Sequence, residues 1–152
     1  MTDAPPLAID LDAIGDTQPL WSAWLESVRG VLAIDPASLP RDRGLASAEL
    51  DAGGAGNWRT LLERFAEDHA PAYLRRDAPT SAVLRSLAAR GVAIGVFTDA
   101  PEPLARVALA QLGATRRISV LESGTEALER VVGALGPGTV VVRTRNDLLS
   151  RP

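Results

Sequence analysis

The sequence predicts an α/β domain in which a parallel sheet of about four strands is sandwiched by helices, with a small inserted helical cap. Three observations support this fold class. Four short apolar runs lack polar alternation, which indicates strands buried on both faces. Helical patterns separate the last three runs, and the stretch between the first two shows helical patterns only. With 152 residues, 46% of them hydrophobic and 23% charged, the chain is long enough to bury its own core.

The predicted strands cover residues 7–11, 92–97, 117–121 and 139–142. Their apolar side chains follow one another without a break, and β-branched residues concentrate in the second and fourth runs. From residue 79 onward the pattern alternates between helix and strand. Such βα units bring their strands side by side in one direction, so we expect a parallel sheet.

Proline and glycine mark the three helices of this alternating region. The first helix is expected behind Pro79 with its stop at Gly91, and the second between Pro101 and Gly113. The third is expected to begin at residues 123–126, whose Ser-Gly-Thr-Glu sequence matches a capping box, and to end at the Gly-Pro-Gly of residues 136–138.

Residues 18–78 have a different character. Two helical stretches are predicted there, over residues 19–32 and 58–68, and no convincing strand. We therefore divide the chain into a core, residues 1–17 and 79–152, and a helical cap insertion, residues 18–78. The glycine-rich residues 53–56 follow no buried strand and complete no phosphate-binding motif, so we interpret them as a flexible connector.

Composition argues against several classes of function. All sixteen basic residues are arginine, the net charge is -3, and the charges are spread along the chain, so no nucleic-acid partner is expected. The absence of cysteine argues against disulfides and thiolate metal sites. The N-terminal residues do not resemble a secretory leader, and no run approaches the ~18 apolar residues of a membrane span. We expect a cytoplasmic protein without membrane contact.

Asp10 and Asp12 are the first candidate functional residues. They follow directly on the first apolar strand, at the edge of the sheet where open α/β folds bind their ligands. Their spacing of two residues would place both side chains on the same side of an extended segment. Two carboxylates held together can bind a hard cation, or one can attack a substrate while the other transfers a proton.

Three segments together resemble the haloacid dehalogenase superfamily of aspartate-dependent phosphatases. Residues 7–17, Leu-Ala-Ile-Asp-Leu-Asp-Ala-Ile-Gly-Asp-Thr, resemble its first motif, an apolar strand ending in DxDGT. Residues 92–99 resemble its second motif, an apolar strand ending in Thr or Ser, and residues 140–149 stand where the fourth is expected. The helical insertion occupies the position of the family's cap. The resemblance implies a Rossmann-like fold.

The resemblance also implies roles for particular residues. Asp10 corresponds to the nucleophile that becomes phosphorylated, and Asp12 to the acid/base that protonates the leaving group and activates water. Thr98 would bind the phosphoryl oxygens. Mg²⁺ would be the cofactor, with Asp10, Asp12 and Asp147 as candidate ligands. The implied substrate is a small phosphorylated molecule, with the insertion acting as a lid.

Departures from the family pattern weaken the expected activity. The third motif's lysine is missing, and Arg130 is the nearest cationic candidate. The Gly-Asp of the fourth motif is replaced by Val142 and Arg143. We expect Arg143 to point at Asp10 and Asp12 and to replace Mg²⁺, the alternative being that it turns to solvent. The helix and strand that commonly follow the fourth motif are also expected to be missing, because the sequence stops at residue 152.

Two functions therefore remain open. The first is hydrolysis of a small phosphate monoester through an aspartyl-phosphate, with activity weak or lost. Losing one preorganised charge typically costs ~100- to 1,000-fold in rate, and a metal is worth several kcal/mol in the transition state. The alternative is a catalytically inactive binding or scaffolding protein with a protein partner.

Overall fold

The computed structural model describes residues 4–151, so the predicted outer boundaries at residues 1 and 152 lie outside the described residues. Within these described residues, four strands and eight α-helices follow one another. In order they are β1 (Leu7–Asp10), α1 (Leu11–Ile14), α2 (Gln18–Val28), α3 (Arg43–Ala52), α4 (Trp58–Tyr73), α5 (Ala78–Ala89), β2 (Ile94–Thr98), α6 (Glu102–Gln111), β3 (Val120–Ser123), α7 (Ala127–Leu135), β4 (Val140–Val142) and α8 (Arg145–Leu149). Short 3-10 turns occupy Pro36–Ser38 and Thr115–Arg117.

The four strands form one parallel sheet in the order β3-β2-β1-β4. Each crossover contains at least one helix, as parallel neighbours require. All four strands predicted from the sequence are present, with ends shifted by up to three residues. Because the strands run in one direction, their carboxyl ends lie along the same edge of the sheet.

Helices cover both faces of the sheet unequally. The main core, on the face of Leu7 and Ile9, contains residues of every helix except α7, including the three helices of the insertion. The opposite face is covered by α7, which packs on Ala8 and Phe97. α7 lies so close that a methyl group on Gly95 would come within 2.6 Å of the Val131 side chain. The predicted insertion thus shares one continuous hydrophobic core with the sheet.

The helices differ from the predictions at several points: the short helices α1 and α8 were not predicted, and α2 ends at Val28 rather than at residue 32. α3 was not predicted, because its buried face consists mainly of small and polar residues rather than a stripe of large apolar ones. α4 continues to Tyr73, past the predicted end at residue 68, and Ala70 and Leu74 anchor this last turn by their burial. The predicted capping box is wrong: β3 extends to Ser123, and Glu126 precedes α7 with a left-handed backbone and no side-chain cap.

No helix within residues 4–151 has both the length and the hydropathy needed to span a bilayer.

Candidate functional site

An open cleft of about 390 Å³ lies at the carboxyl edge of the sheet. Asp10 ends β1, Thr98 ends β2 and Arg143 follows β4, and all three line the cleft. The loop after β3 and the first turn of α7, residues 124–129, form another wall. With Asp12, four of the sequence-predicted residues thus meet here, because parallel strands end at a common edge.

Asp10 and Asp12 are neighbours because of a helix cap. The chain turns into α1 directly after Asp10, and the Asp10 Oδ1 atom accepts the backbone N–H of Asp12 at 3.0 Å. The expected extended segment is therefore wrong, since Asp12 lies in a helical turn. An aspartate before a helix satisfies one of the N–H groups that lack a partner within the helix, which explains the conformation.

Asp12 is surrounded by hydrogen-bond donors. Its Oδ1 atom accepts both the backbone N–H of Thr17 at 3.0 Å and the Thr17 hydroxyl at 2.7 Å. Its Oδ2 atom accepts from the Nη2 atom of Arg43 at 3.2 Å. Each oxygen of this carboxylate is therefore bonded to a group of the protein itself.

Arg43 is the centre of this network. It is the first residue of α3, and its side chain is 1% exposed. Besides Asp12, its guanidinium donates to Thr17 Oγ1 at 2.6 Å and, through Nε, to Asp99 Oδ1 at 2.9 Å. Its backbone N–H donates to Asp99 Oδ2 at 3.0 Å. One buried cation therefore joins the insertion to the ends of β1 and β2.

Burial raises the pKa of the Asp10 carboxyl above its usual value. The negative charges of Asp12 and Asp99 raise this pKa further, while the Asp12 N–H and, more weakly, the Arg43 guanidinium lower it. The ionised form of Asp10 is therefore less favourable in the folded protein than in water.

The arginine beside the acid pair is not the one expected from the sequence. Arg143 was expected to fill the cation position, but Arg43 makes the ion pair with Asp12. Arg143 lies exposed at the mouth of the cleft, with its guanidinium carbon 5.6 Å from the centre of the Phe97 ring. Phe97 lies in β2 and Arg143 just after β4, the strands on either side of β1, and contact with the aromatic ring explains the position of Arg143.

The structure places Arg130 and Asp147 outside the cleft, which corrects their predicted roles. The Arg130 guanidinium bonds to Glu122 Oε1 at 2.8 Å and to the carbonyls of Ser123 and Thr125, so it braces the loop after β3. Asp147 lies on α8 and pairs with Arg151, one turn further, at 3.4 Å. Neither side chain lines the cleft that contains Asp10.

Thr98 is held as expected at the end of β2. Its side chain is buried, and its hydroxyl oxygen accepts the backbone N–H of Ala100 at 3.1 Å. Thr98 lines the cleft together with Asp10.

The residues present do not fit Mg²⁺. Within residues 4–151, no three Asp, Glu, His or Cys side chains are grouped so that they could hold a metal ion. One oxygen of Asp12 already faces the cation Arg43, and a second cation, Arg143, lines the same cleft. Mg²⁺ prefers several oxygen ligands at about 2.1 Å in octahedral geometry, which this arrangement does not provide.

The cleft is strongly acidic. Six carboxylates line it, and Arg143 is the one basic residue among the described residues of its lining. The six are Asp10, Asp12, Asp42, Asp99, Glu126 and Glu129. Such a distribution creates a negative potential that repels a phosphate dianion.

Neither Arg43 nor the role of Asp99 was predicted from the sequence. Asp99 stands next to Thr98, so the strand end itself was a signal. For Arg43 the available signal was Asp42, whose side chain caps α3 by accepting the backbone N–H of Leu45. That signal predicts a helix start but not that the next side chain reaches Asp12.

Comparisons with known proteins identify the fold. No family model matches the chain, and no curated protein matches it. A crystal structure from Thermotoga maritima, described as a putative beta-phosphoglucomutase, matches with a TM-score of 0.58 at 16% sequence identity, covering 91% of this chain and 75% of that chain. Similarity at this level of identity shows the fold alone. The predicted fold class is confirmed, and the chain shares a Rossmann-like α/β fold with that structure.

Proposed function

We propose that this chain is a haloacid dehalogenase-like protein without phosphatase turnover that serves as a binding or scaffolding domain for a protein partner. The observation behind this proposal is the environment of Asp12. A general acid/base must reach the substrate with an oxygen that can gain and lose a proton. Here Thr17 donates twice to one oxygen of Asp12, and Arg43 donates to the other.

The charges of the cleft support the same proposal. Phosphoryl transfer depends on positive groups or metal ions that neutralise the transferring phosphoryl group. In this cleft, carboxylates outnumber the one lining arginine, and Arg130 braces a loop outside it. Binding and transfer of a phosphate dianion are therefore unfavourable.

A second candidate is a hydrolase of a small phosphate monoester with weak activity. In its favour, Asp10 and Thr98 line the same cleft, and Arg143 stands at its mouth as a possible phosphate ligand. In this alternative Asp10 would attack phosphorus and the alcohol would leave. The two candidates differ in whether any turnover depends on Asp10.

Hydrolysis of a generic aryl phosphate distinguishes them. The wild type would be compared with Asp10→Asn, with and without Mg²⁺, and with Asp16→Asn, a control at an exposed aspartate. We expect the same background rate from all three proteins, with no stimulation by Mg²⁺. Turnover that disappears in Asp10→Asn but not in Asp16→Asn would contradict the proposal and establish the weak hydrolase.

A further inference from the structure

The Arg43 guanidinium is held by acceptors from three separate segments of the chain. Nη1 bonds to Thr17 just before α2, Nη2 to Asp12 in α1, and Nε to Asp99 just after β2. The Nη2 atom also lies 2.9 Å from Asp99 Oδ1. The planar fork of arginine presents several N–H groups at fixed angles, which a single ammonium group cannot reproduce.

The Thr17 hydroxyl is oriented so that its oxygen can accept a hydrogen bond from the Arg43 guanidinium. The Thr17 hydroxyl donates its proton to Asp12 Oδ1 at 2.7 Å, so a lone pair of Oγ1 is left to accept from Arg43. Thr17 is fully buried, which fixes this direction. The acceptors therefore surround a space as wide as a guanidinium group, whereas Mg²⁺ requires oxygens at about 2.1 Å from one point.

The main chain of α3 is attached to the same place. The Arg43 N–H donates to Asp99, and the Arg43 carbonyl accepts the Ser47 hydroxyl at 2.7 Å. Gly44 packs so closely on the loop after β3 that an added methyl group would lie 2.8 Å from the Thr125 nitrogen. Arg43 thus reaches Asp12, Thr17 and Asp99 from a helix start that is itself held in place.

We infer that the acceptors Asp12, Thr17 and Asp99 form a binding site for a guanidinium group rather than a divalent metal, and that the Arg43 side chain occupies this site permanently. Arg43 is then a positioning residue that holds α3 of the insertion on the carboxyl edge of the sheet. The inference deepens the proposed function. It rests on that function because it treats Asp12 as a permanent partner of Arg43.

Chemical rescue of Arg43→Ala tests the inference. Thermal unfolding of the variant would be followed in guanidinium chloride at tens of millimolar, in sodium chloride of equal ionic strength, and in MgCl₂ of equal ionic strength. Free guanidinium should refill the vacated pocket and raise the Tm of Arg43→Ala by about 1–3 °C over sodium chloride, because a ligand that binds the folded state stabilises it. Mg²⁺ should give no such rise.

The matched control is Arg145→Ala, which removes an exposed arginine from its pair with Asp77. Guanidinium should raise the Tm of neither this variant nor the wild type. Equal Tm values of Arg43→Ala in guanidinium and sodium chloride, or an equal rise with Mg²⁺, would overturn the inference.

Arg43→Lys provides a second test should the alanine variant fail to fold. Lysine keeps the charge but cannot bond to Thr17, Asp12 and Asp99 together, so its Tm should lie below that of the wild type. A wild-type Tm for Arg43→Lys would show that charge alone suffices and would also overturn the inference. Asp10-dependent turnover would refute only the proposed function, whereas absent rescue without turnover would refute only this inference.

Discussion

Asp10 and Asp77 both cap the start of a helix, but their surroundings differ. The Asp10 Oδ1 atom accepts the N–H of Asp12 at the end of β1. The Asp77 Oδ2 atom accepts the N–H and the hydroxyl of Thr80 at the start of α5, and also the guanidinium of Arg145 at 2.8 Å. The pKa of Asp10 is raised, mainly by burial. The pKa of Asp77 is lowered, mainly by the Thr80 hydroxyl and then by Arg145.

The same motif, an aspartate that caps a helix, therefore has its pKa shifted in opposite directions in two environments. Asp77 lies at the surface with an arginine of its own from α8. Asp10 lies in a cleft close to Asp12 and Asp99, and the buried Arg43 bonds to those two carboxylates instead. The carboxyl edge of the sheet therefore holds excess negative charge, which Arg43 offsets in part.

The largest expected difference is between removing Arg43 and removing Arg145, measured as loss in the free energy of unfolding. Arg43→Ala leaves Asp12 and Asp99 without their counter-ion, and breaking a buried ion pair in this way typically costs about 3–5 kcal/mol. Because both carboxylates keep some exposure, we expect a loss near the lower end, about 3 kcal/mol in the free energy of unfolding measured with urea.

Arg145→Ala is the matched variant for this comparison. Its side chain is 49% exposed, so losing the pair with Asp77 should cost about 0–1 kcal/mol. Equal losses for the two variants would show that burial does not distinguish the two regions.

Asp77→Ala should have an intermediate effect. Loss of an N-cap side chain typically costs about 1 kcal/mol. Since the pKa of Asp77 is lower in the folded protein than its usual 3.8, the ionised carboxylate stabilises the fold above that pH. The difference between wild type and variant should therefore shrink as the pH falls from 3.8 through the folded-state pKa. A urea-unfolding series across pH, with the exposed Asp68→Ala as control, measures it; a difference that stays constant with pH would contradict the assignment.

Asp10→Asn should have the smallest effect, and in the opposite direction. The asparagine carbonyl can still accept the Asp12 N–H, while the charge that burial disfavours is gone. Since the pKa of Asp10 is raised in the folded protein, stability falls as the pH rises from 3.8 through the folded-state pKa. Asp10→Asn should thus unfold at a slightly higher Tm at neutral pH, and the gain should vanish in acid. A lower Tm at neutral pH would mean that the Asp10 charge stabilises the fold after all.

Much of the fold could be predicted because its signals are local. Continuous apolar runs indicated β1 to β4, and helical spacing with proline and glycine at the ends indicated α5, α6 and α7. α3 was missed because Gly44, Ala46 and Ser47 give its buried face no large apolar pattern. The start of α7 was predicted wrongly because residues 123–126 have the residue types of a capping box. In the structure Ser123 instead pairs with Thr98 as the last residue of β3.

The candidate site was predictable only in part. Asp10, Asp12 and Thr98 meet because strand direction alone brings their positions to one edge. The arginine that reaches these residues depends on where α3 of the insertion packs on the carboxyl edge of the sheet. No short-range sequence pattern predicts this packing. Arg143 follows β4, the strand beside β1, and was therefore the arginine expected near Asp12. The arginine that bonds to Asp12 is instead Arg43, which lies 31 positions after Asp12 in the sequence.

The sequence by itself determined the parallel α/β fold and the carboxylates at the end of its first strand, because periodicity and turn residues act over a few neighbouring positions. Only the tertiary structure decided that Arg43 meets Asp12 and Asp99, that Arg143 stacks near Phe97, and that Asp147 turns to Arg151. Those contacts depend on how the inserted helices pack against the core, and packing is settled by the shape and burial of the whole chain rather than by any one segment.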